Sequence, residues 1–298
     1  MMIKNVFLGL LFCLSMPLAA QSPQKPDTEL LSPESVSYSP SQDVYFVSNM
    51  NGPNGDLSND GFVSKMAPDG SILELKWIEG GKNGVVLHAP AGMAVGNNIL
   101  WMTDYNTVKG FDLTTRELVG EYVIHQASML NDIAIDSQGN LYVTDSGILF
   151  NQDKETKDKN KFIPTGTDAI YKIDGQGKII RLASGVHLDN PNGIAISPDD
   201  HVYFVTKGGG VFVMQNDGTV QEYIKLPHGR LDGIAFSKTG TLFVTSWAGE
   251  GVYRIKDGKV SLYAENLSSP ASLGYDSKRN TLAIPLLLGN QVSLISAG

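Results

Sequence analysis

One short pattern recurs six times along this chain, and it restricts the fold more than any other feature. A turn-forming or small residue opens each of six runs of alternating apolar positions. They are Glu34-Ser35-Val36-Ser37-Tyr38, Ala91-Gly92-Met93-Ala94-Val95, Asn131-Asp132-Ile133-Ala134-Ile135, Asn192-Gly193-Ile194-Ala195-Ile196, Asp232-Gly233-Ile234-Ala235-Phe236 and Ala271-Ser272-Leu273-Gly274-Tyr275. Their first residues lie 57, 40, 61, 40 and 39 positions apart. Each is followed by a turn and a second apolar run, at 44–48, 99–104, 141–145, 202–207, 242–247 and 282–286. A third strand follows, as at 169–174 before Gly175-Gln176-Gly177, and a fourth closes most units, as at 220–224 and 260–263.

Four short strands in roughly 46 residues, repeated six times, predict an all-β, six-bladed β-propeller of four-stranded antiparallel blades. Helical spacing is nowhere sustained, and the frequent Gly and Asx turns suit β-meanders. Several strands are apolar on both faces of the pleat, as in Val202-Tyr203-Phe204-Val205, which fits a blade covered by a neighbour on each side. The last unit ends after its third strand. An N-terminal segment near Asp27–Leu31 is expected to supply the missing outer strand and so close the ring without exposed edges. Two long connections, 49–61 and 146–167, are expected on the same face as the starts of the first strands.

The N-terminus reads as an export signal: Lys4, an apolar run from Val6 to Leu14, then Leu18-Ala19-Ala20. That run is too short to span a bilayer as a stable helix. The expected division is therefore a signal at 1–20 and one propeller domain at 21–298, periplasmic or secreted after cleavage near Ala20, with no membrane anchor. Cys13 is the only cysteine and lies in the signal, so cysteine nucleophiles and thiolate metal sites are excluded from the mature chain. The formal charge of −8 becomes 22 − 31 = −9 once Lys4 is removed, an acidic balance that disfavours nucleic acid as a partner. A monomer is the expected state.

Stacking the six first strands gives Glu34, Ala91, Asn131, Asn192, Asp232 and Ala271 at the leading position, ringing one end of the central tunnel. Four are oxygen donors and two are alanines. Asn, Asp and Gly also begin strands merely because they make turns. That explanation weakens for four equivalent positions at once, since the other polar turns vary freely. Two carboxylates balance a divalent charge, and two carboxamides add ligands without repulsion. The hard, all-oxygen set Glu34, Asn131, Asn192 and Asp232 suits Ca²⁺ or Mg²⁺, ahead of Mn²⁺ or Zn²⁺.

The ordered Glu34, Asn131-Asp132, Pro191-Asn192-Gly193 with Ser197-Pro198-Asp199, and Asp232-Gly233 resemble the gluconolactonase/regucalcin family of six-bladed propellers. They are more distantly similar to diisopropyl-fluorophosphatase and paraoxonase. The resemblance spans nearly the whole mature chain and implies a metal-dependent hydrolase of lactones or related esters, with these four residues as ligands. It also implies an Arg two residues before the blade-three Asn, holding sugar hydroxyls. Met129 stands there instead, which points to a less polar lactone or ester. The metal would act as a Lewis acid, with Asp232 as base or nucleophile.

Further candidates for the substrate pocket are Tyr105, Lys207 and Trp247, and the loop histidines His125 and His228. His88 and His187 also precede first strands. Each has an ordinary reading as packing or loop residue. Lys207 before Gly208-Gly209-Gly210 lacks phosphate-loop spacing. Asp104 and Asp145, each after Thr, either hold a second ion or close turns. The alternative to an enzyme is a non-catalytic, ligand- or protein-binding propeller with a structural calcium ion.

Overall fold

The computed structural model describes residues 29–52, 55–150, 162–215 and 218–298. Residues 1–28 lie outside the described residues, and with them the expected signal and Asp27-Thr28 of the expected closing strand; so does the charged stretch 151–161. Six antiparallel sheets follow one another in chain order. Blade one is Pro33–Ser39, Val44–Asn49, Phe62–Met66 and Ile72–Glu79. Blades two to five repeat that up-and-down order from Pro90, Leu130, Pro191 and Leu231. Blade six has three strands among the described residues, Gly274–Asp276, Thr281–Leu286 and Gln291–Ser296. The protein is a six-bladed β-propeller. Among the described residues no helix is long and apolar enough to cross a membrane.

Apolar residues on both faces of each strand have a direct use. Six separate core clusters fill the six seams between successive blades. Phe46, Trp77, Met93 and Met102 join blades one and two, while Ile170, Ile194 and Phe204 join three and four. The seam between six and one is filled by Val36, Tyr45, Val47 and Ala283, together with Leu30.

The described part of the N-terminal segment does not form an outer strand for blade six. Instead, Leu30 is buried in the closing seam, and Leu31 and Ser32 run beside the end of the second strand of blade one. Asn51 N–H donates to Leu31 O and Met50 N–H to Ser32 O, both at 3.2 Å. Ring closure also uses a parallel contact in which Ser272 N–H donates to Glu34 O (2.9 Å) and Val36 N–H to Ser272 O (3.1 Å). Near the opposite ends of these strands, Asp43 of blade one accepts from Lys278 (2.6 Å) and from both arms of Arg279 (2.7 and 2.8 Å) of blade six.

One irregularity repeats and matters for function. In blade one Pro33 pairs with Asn49 and Val36 with Val47, so three steps on the first strand oppose two on the second. The same extra residue occurs at 130–133, 191–194, 231–234 and 90–93. A β-bulge leaves one residue unpaired and re-aims its side chain. The leading residue of each of the first five repeats sits inside this bulge.

Candidate metal centre and substrate cavity

Glu34, Asn131, Asn192 and Asp232 all line one cavity of about 430 Å³ at the end of the tunnel where the first strands begin. Their backbones are fixed by a repeated stitch between blades. A hydroxyl on the second strand of one blade donates to the carbonyl of the leading residue of the next. Ser48 reaches Ala91 O (2.7 Å), Thr103 Asn131 O (2.7 Å), Thr144 Asn192 O (2.6 Å) and Thr245 Ala271 O (3.0 Å). Three of these hydroxyls also accept the N–H just past their own blade's leading residue, from Ser35, Asp132 and Gly233. Glycine is required where blades approach most closely: a Cβ on Gly193 would lie 2.2 Å from Asp232 O, and one on Gly233 2.5 Å from Leu273 N.

Each of the four donors keeps one buried oxygen without any hydrogen-bond partner: Glu34 Oε2, Asn131 Oδ1, Asn192 Oδ1 and Asp232 Oδ1. The amides are turned to leave those oxygens free. Asn131 Nδ2 donates to Ser146 Oγ (3.1 Å), which itself donates to Pro191 O (2.7 Å), and Asn192 Nδ2 donates to Leu231 O (3.2 Å). A buried orphan acceptor is destabilising by about 1–3 kcal/mol, and four at equivalent positions of one ring would all be satisfied by a single cation held between them. The set fits a hard divalent ion held by two carboxylates and two amide oxygens. Among the described residues no group of three or more His, Cys, Asp or Glu is placed to hold a metal ion; this candidate set is half carboxamide.

Electrostatics agree. Burial pushes Glu34 well above the ordinary carboxylate range, and the charges of Asp232 and Asp132 push it further. Asp232 is raised to about 7 by burial, with the charge of Lys207 opposing and that of Asp132 reinforcing. The indole N–H of Trp247 lies near Asp232 and favours its ionised form, but finds no acceptor at hydrogen-bond geometry. Asp132, one residue past Asn131, is also raised to about 7 by burial. It differs from the donors because both its oxygens are taken, by Ile133 N–H (2.9 Å), Ile194 N–H (3.1 Å) and Ser272 Oγ (3.3 Å).

Above the donors a second repeated clamp sets the wall. The residue just past the second strand donates its N–H to the carbonyl two residues before the leading position. This joins Met50 to Ser32, Ser146 to Met129, Lys207 to Asn190, Trp247 to Arg230 and Leu287 to Ser269. Seven of these ten residues line the cavity: Ser32, Met50, Met129, Lys207, Arg230, Trp247 and Leu287. Met129, Lys207 and Trp247 thus lie where the sequence reading puts them. Met50, Leu287, Ser32 and Arg230 were missed, although they occupy the same blade positions and stacking the repeats one turn further would have found them. Phe162 and Leu288 complete the apolar part of the wall.

Three expected pocket residues do not line the cavity. In blade two the clamp is absent, because the second strand turns straight into the third: Asp104 pairs with Thr107, and its carboxylate accepts the N–H groups of His88 (3.0 Å) and Ala89 (2.9 Å) and the ammonium of Lys109 (2.5 Å). Tyr105 consequently enters a left-handed turn (φ 59°), and its carbonyl receives Leu130 N–H. His125 is exposed in the turn after the outer strand of blade two. His228 is held against the Tyr253 hydroxyl on the third strand of blade five. His187 is exposed and His88 is outside the lining as well. Asp104 and Asp145 close turns: Asp145 accepts from the N–H groups of Ser128 (3.2 Å), Met129 (3.1 Å) and Gly147 (3.0 Å).

With the geometry in hand, comparison with known proteins is informative. The sequence model of the SMP-30/Gluconolactonase/LRE-like region matches residues 84–279. No curated protein matches the chain in sequence. Among solved structures it is similar to a gluconolactonase from Xanthomonas campestris (TM-score 0.67, 19% identity, covering 90% of this chain and 87% of that one). It is also similar to virginiamycin B lyase from Staphylococcus aureus (TM-score 0.60, 18% identity, covering 90% and 95%). At these identities the likeness is one of fold.

Proposed function

Because the chain belongs to the SMP-30/gluconolactonase/LRE-like family, we propose that it is a divalent-metal-dependent hydrolase that opens a lactone or a related ester. The observation that carries this reading is the set of four unpartnered oxygens, on Glu34, Asn131, Asn192 and Asp232, at the base of a largely apolar cavity. These four residues would hold the cation, Ca²⁺ by preference. When bound, it supplies Lewis-acid polarisation of the acyl carbonyl.

The chain's own groups account for the rest of the chemistry. Asp232 is the acid–base residue: its carboxylate orients the attacking water and takes its proton, or attacks the acyl carbon itself. Lys207 and the Trp247 N–H favour its ionised form. Met50, Met129 and Leu287 supply wall surface that hydrogen-bonds to no hydroxyl, so the favoured substrate carries fewer hydroxyls than an aldonolactone where it meets them. Residues 1–20 are proposed as an export signal, which the mass of the mature N-terminus in an expressing cell would test.

The enzymatic test is hydrolysis of a panel of lactones and aryl esters, first in chelator and then with Ca²⁺, Mg²⁺, Mn²⁺ or Zn²⁺, on wild type and Asp232→Asn. Turnover that metal restores, and that is lost by more than about a hundredfold in the variant, is the expected result. Turnover indifferent to chelator and to Asp232→Asn sinks the mechanism. If no substrate turns over while calcium still raises the melting temperature, the non-catalytic binding propeller is the better description.

A further inference from the structure

In a chain of net charge −8, two cations share the wall of the one cavity that carries the candidate metal ligands. Among the described residues, neither Lys207 nor Arg230 forms an ion pair or a side-chain hydrogen bond, although the charges of both are felt by Asp232. Each lies over an aromatic ring instead. Lys207 Nζ is 3.9 Å from the Phe162 centroid, and Arg230 Cζ is 5.1 Å from that of Trp247. Other cations of the molecule are neutralised directly, Lys109 by Asp104, Arg116 by Glu74, and Lys278 and Arg279 by Asp43.

The fold forces the two charges together. Arg230 N–H donates to Lys207 O at 2.7 Å, so their backbones are adjacent although 23 positions separate them (230 − 207). Two like charges on neighbouring backbone positions repel, and an anion between them removes that repulsion. Arg230 is also held at φ 51°, a left-handed conformation that L-residues seldom adopt. The equivalent positions of blades one, four and six are left-handed too (φ 50°, 55° and 50°), but there the residues are Ser32, Asn190 and Ser269. Short polar side chains suit that backbone; a long cationic one does not improve it. The guanidinium is accounted for by what it meets in the cavity, not by the turn it occupies.

We propose that Lys207 and Arg230 form an anion-binding subsite beside the metal ligands. The ligand of this cavity is then amphipathic: an apolar body against Met50, Met129, Leu287 and Leu288, and a carboxylate, sulfate or phosphate group on the two cations. That this ligand is a lactone or ester rests on the hydrolase reading above; the anion subsite itself does not. Aromatic rings behind both cations restrict their motion, and an exposed guanidinium pre-set in this way forms paired hydrogen bonds to a planar or tetrahedral oxyanion.

The test uses the calcium-loaded full chain and two isosteric probes, octane-1-sulfonate and the neutral octane-1-sulfonamide, titrated calorimetrically. The sulfonate is expected to bind about tenfold more tightly than the sulfonamide, less so as ionic strength rises. Arg230→Gln and Lys207→Gln are each expected to remove most of that preference, and Arg230→Lys to keep part of it. Melting curves with and without calcium check that each variant remains folded and metal-competent. Equal affinity for the two probes overturns the proposal. So does a preference that survives in both glutamine variants, because the metal alone would then hold the anion. A lactone panel without turnover, combined with an Arg230-dependent sulfonate preference, removes the hydrolase reading and leaves the anion subsite standing.

Discussion

Withdrawing divalent cations should leave a propeller whose stability falls as pH rises through neutrality. Without a cation, Asp232 and Asp132 carry pKa values of about 7, and Glu34 is raised as well, all chiefly by burial. An acid whose folded pKa exceeds its unfolded value near 4 binds more protons in the native state. Its contribution is therefore intact below pH 4 and is lost as pH climbs to the folded value. Between pH 5.5 and 7.5 a group held near 7 loses up to about 2 kcal/mol, at 1.36 kcal/mol per pKa unit. Asp232 opens onto the cavity, so water reduces its share to about 1 kcal/mol. Asp132 contributes the fuller amount, and Glu34 adds to it in the same direction. The sum, roughly 3–4 kcal/mol, lowers the melting temperature by about 10 °C in a chain of this size. Calcium reverses the sign for Glu34 and Asp232, because a bound cation favours their ionised forms in the folded state. It acts on Asp132, which is bonded to N–H and hydroxyl donors, only through space, in the same direction and by less. The assay is a set of melting curves from pH 5.5 to 7.5 in chelator and in calcium, on wild type and Asp232→Asn. A steep fall in chelator, a shallower one in calcium, and a smaller difference between the two in the variant are expected. A chelated protein whose melting temperature is flat or rises across this window would show that the orphan carboxylates are not under strain, and the metal argument would lose its electrostatic half.

Other consequences can be checked separately. Ser146→Ala removes the acceptor that turns the Asn131 amide, and calcium affinity measured by titration should fall tenfold to a hundredfold with the fold retained. Gly193→Ala places a methyl group 2.2 Å from Asp232 O, so stability should drop by about 1–3 kcal/mol in denaturant titration and calcium affinity should fall with it. Phe204→Ala, deep in the seam between blades three and four, should destabilise by about 3–5 kcal/mol without altering calcium affinity. Arg279→Ala breaks the contacts of blade six to Asp43 and to Asp276; it should lower the melting temperature more at low salt than at high, and a salt-independent change would argue for lost packing instead.

The ring was legible because its unit repeats: aligned apolar pairs, small turns and a spacing near 40 leave few other folds. That Glu34, Asn131, Asn192 and Asp232 meet at one cavity was legible for the same reason, once first strands were stacked. What the alignment did not carry was the second clamp. Lys207 and Trp247 were visible at the ends of apolar runs, whereas Met50 and Leu287 occupy the same step in blades whose run ends are irregular. Arg230 reads as a loop residue until it is set beside Ser32 and Met129 in the equivalent blades. Tyr105 was misplaced because blade two departs from its neighbours: Asp104 pairs directly with Thr107, so the chain turns at Tyr105 before the clamp can form. The closing strand was drawn from the need to cover an edge; Asp27-Thr28 of that segment lie outside the described residues, and Leu30 packs in the seam among Val36, Tyr45 and Ala283.

The composition of the donor ring follows from how each side chain can be oriented. A carboxylate presents two equivalent oxygens, so Glu34 and Asp232 can offer one to a cation whichever way they rotate. A carboxamide must be fixed, and both have fixing partners: Ser146 Oγ for Asn131 and Leu231 O for Asn192. Two negative charges then match a divalent ion. A third is present one residue from Asn131, on Asp132, and it would over-charge the ring if it were free. It is not free: Ile133, Ile194 and Ser272 occupy both its oxygens and hold it across the strands that Asn131 and Asn192 lead. The same bulge that turns Asn131 into the cavity turns its neighbour the other way. Alternation along a single strand thereby separates the residue that binds from the residue that braces. With the bulge fixed by Leu130↔Asp145 and Ile133↔Val143, an Asn131-Asp132 exchange puts a third carboxylate into the ring and sets a carboxamide, with a single acceptor oxygen, against the N–H groups of Ile133 and Ile194.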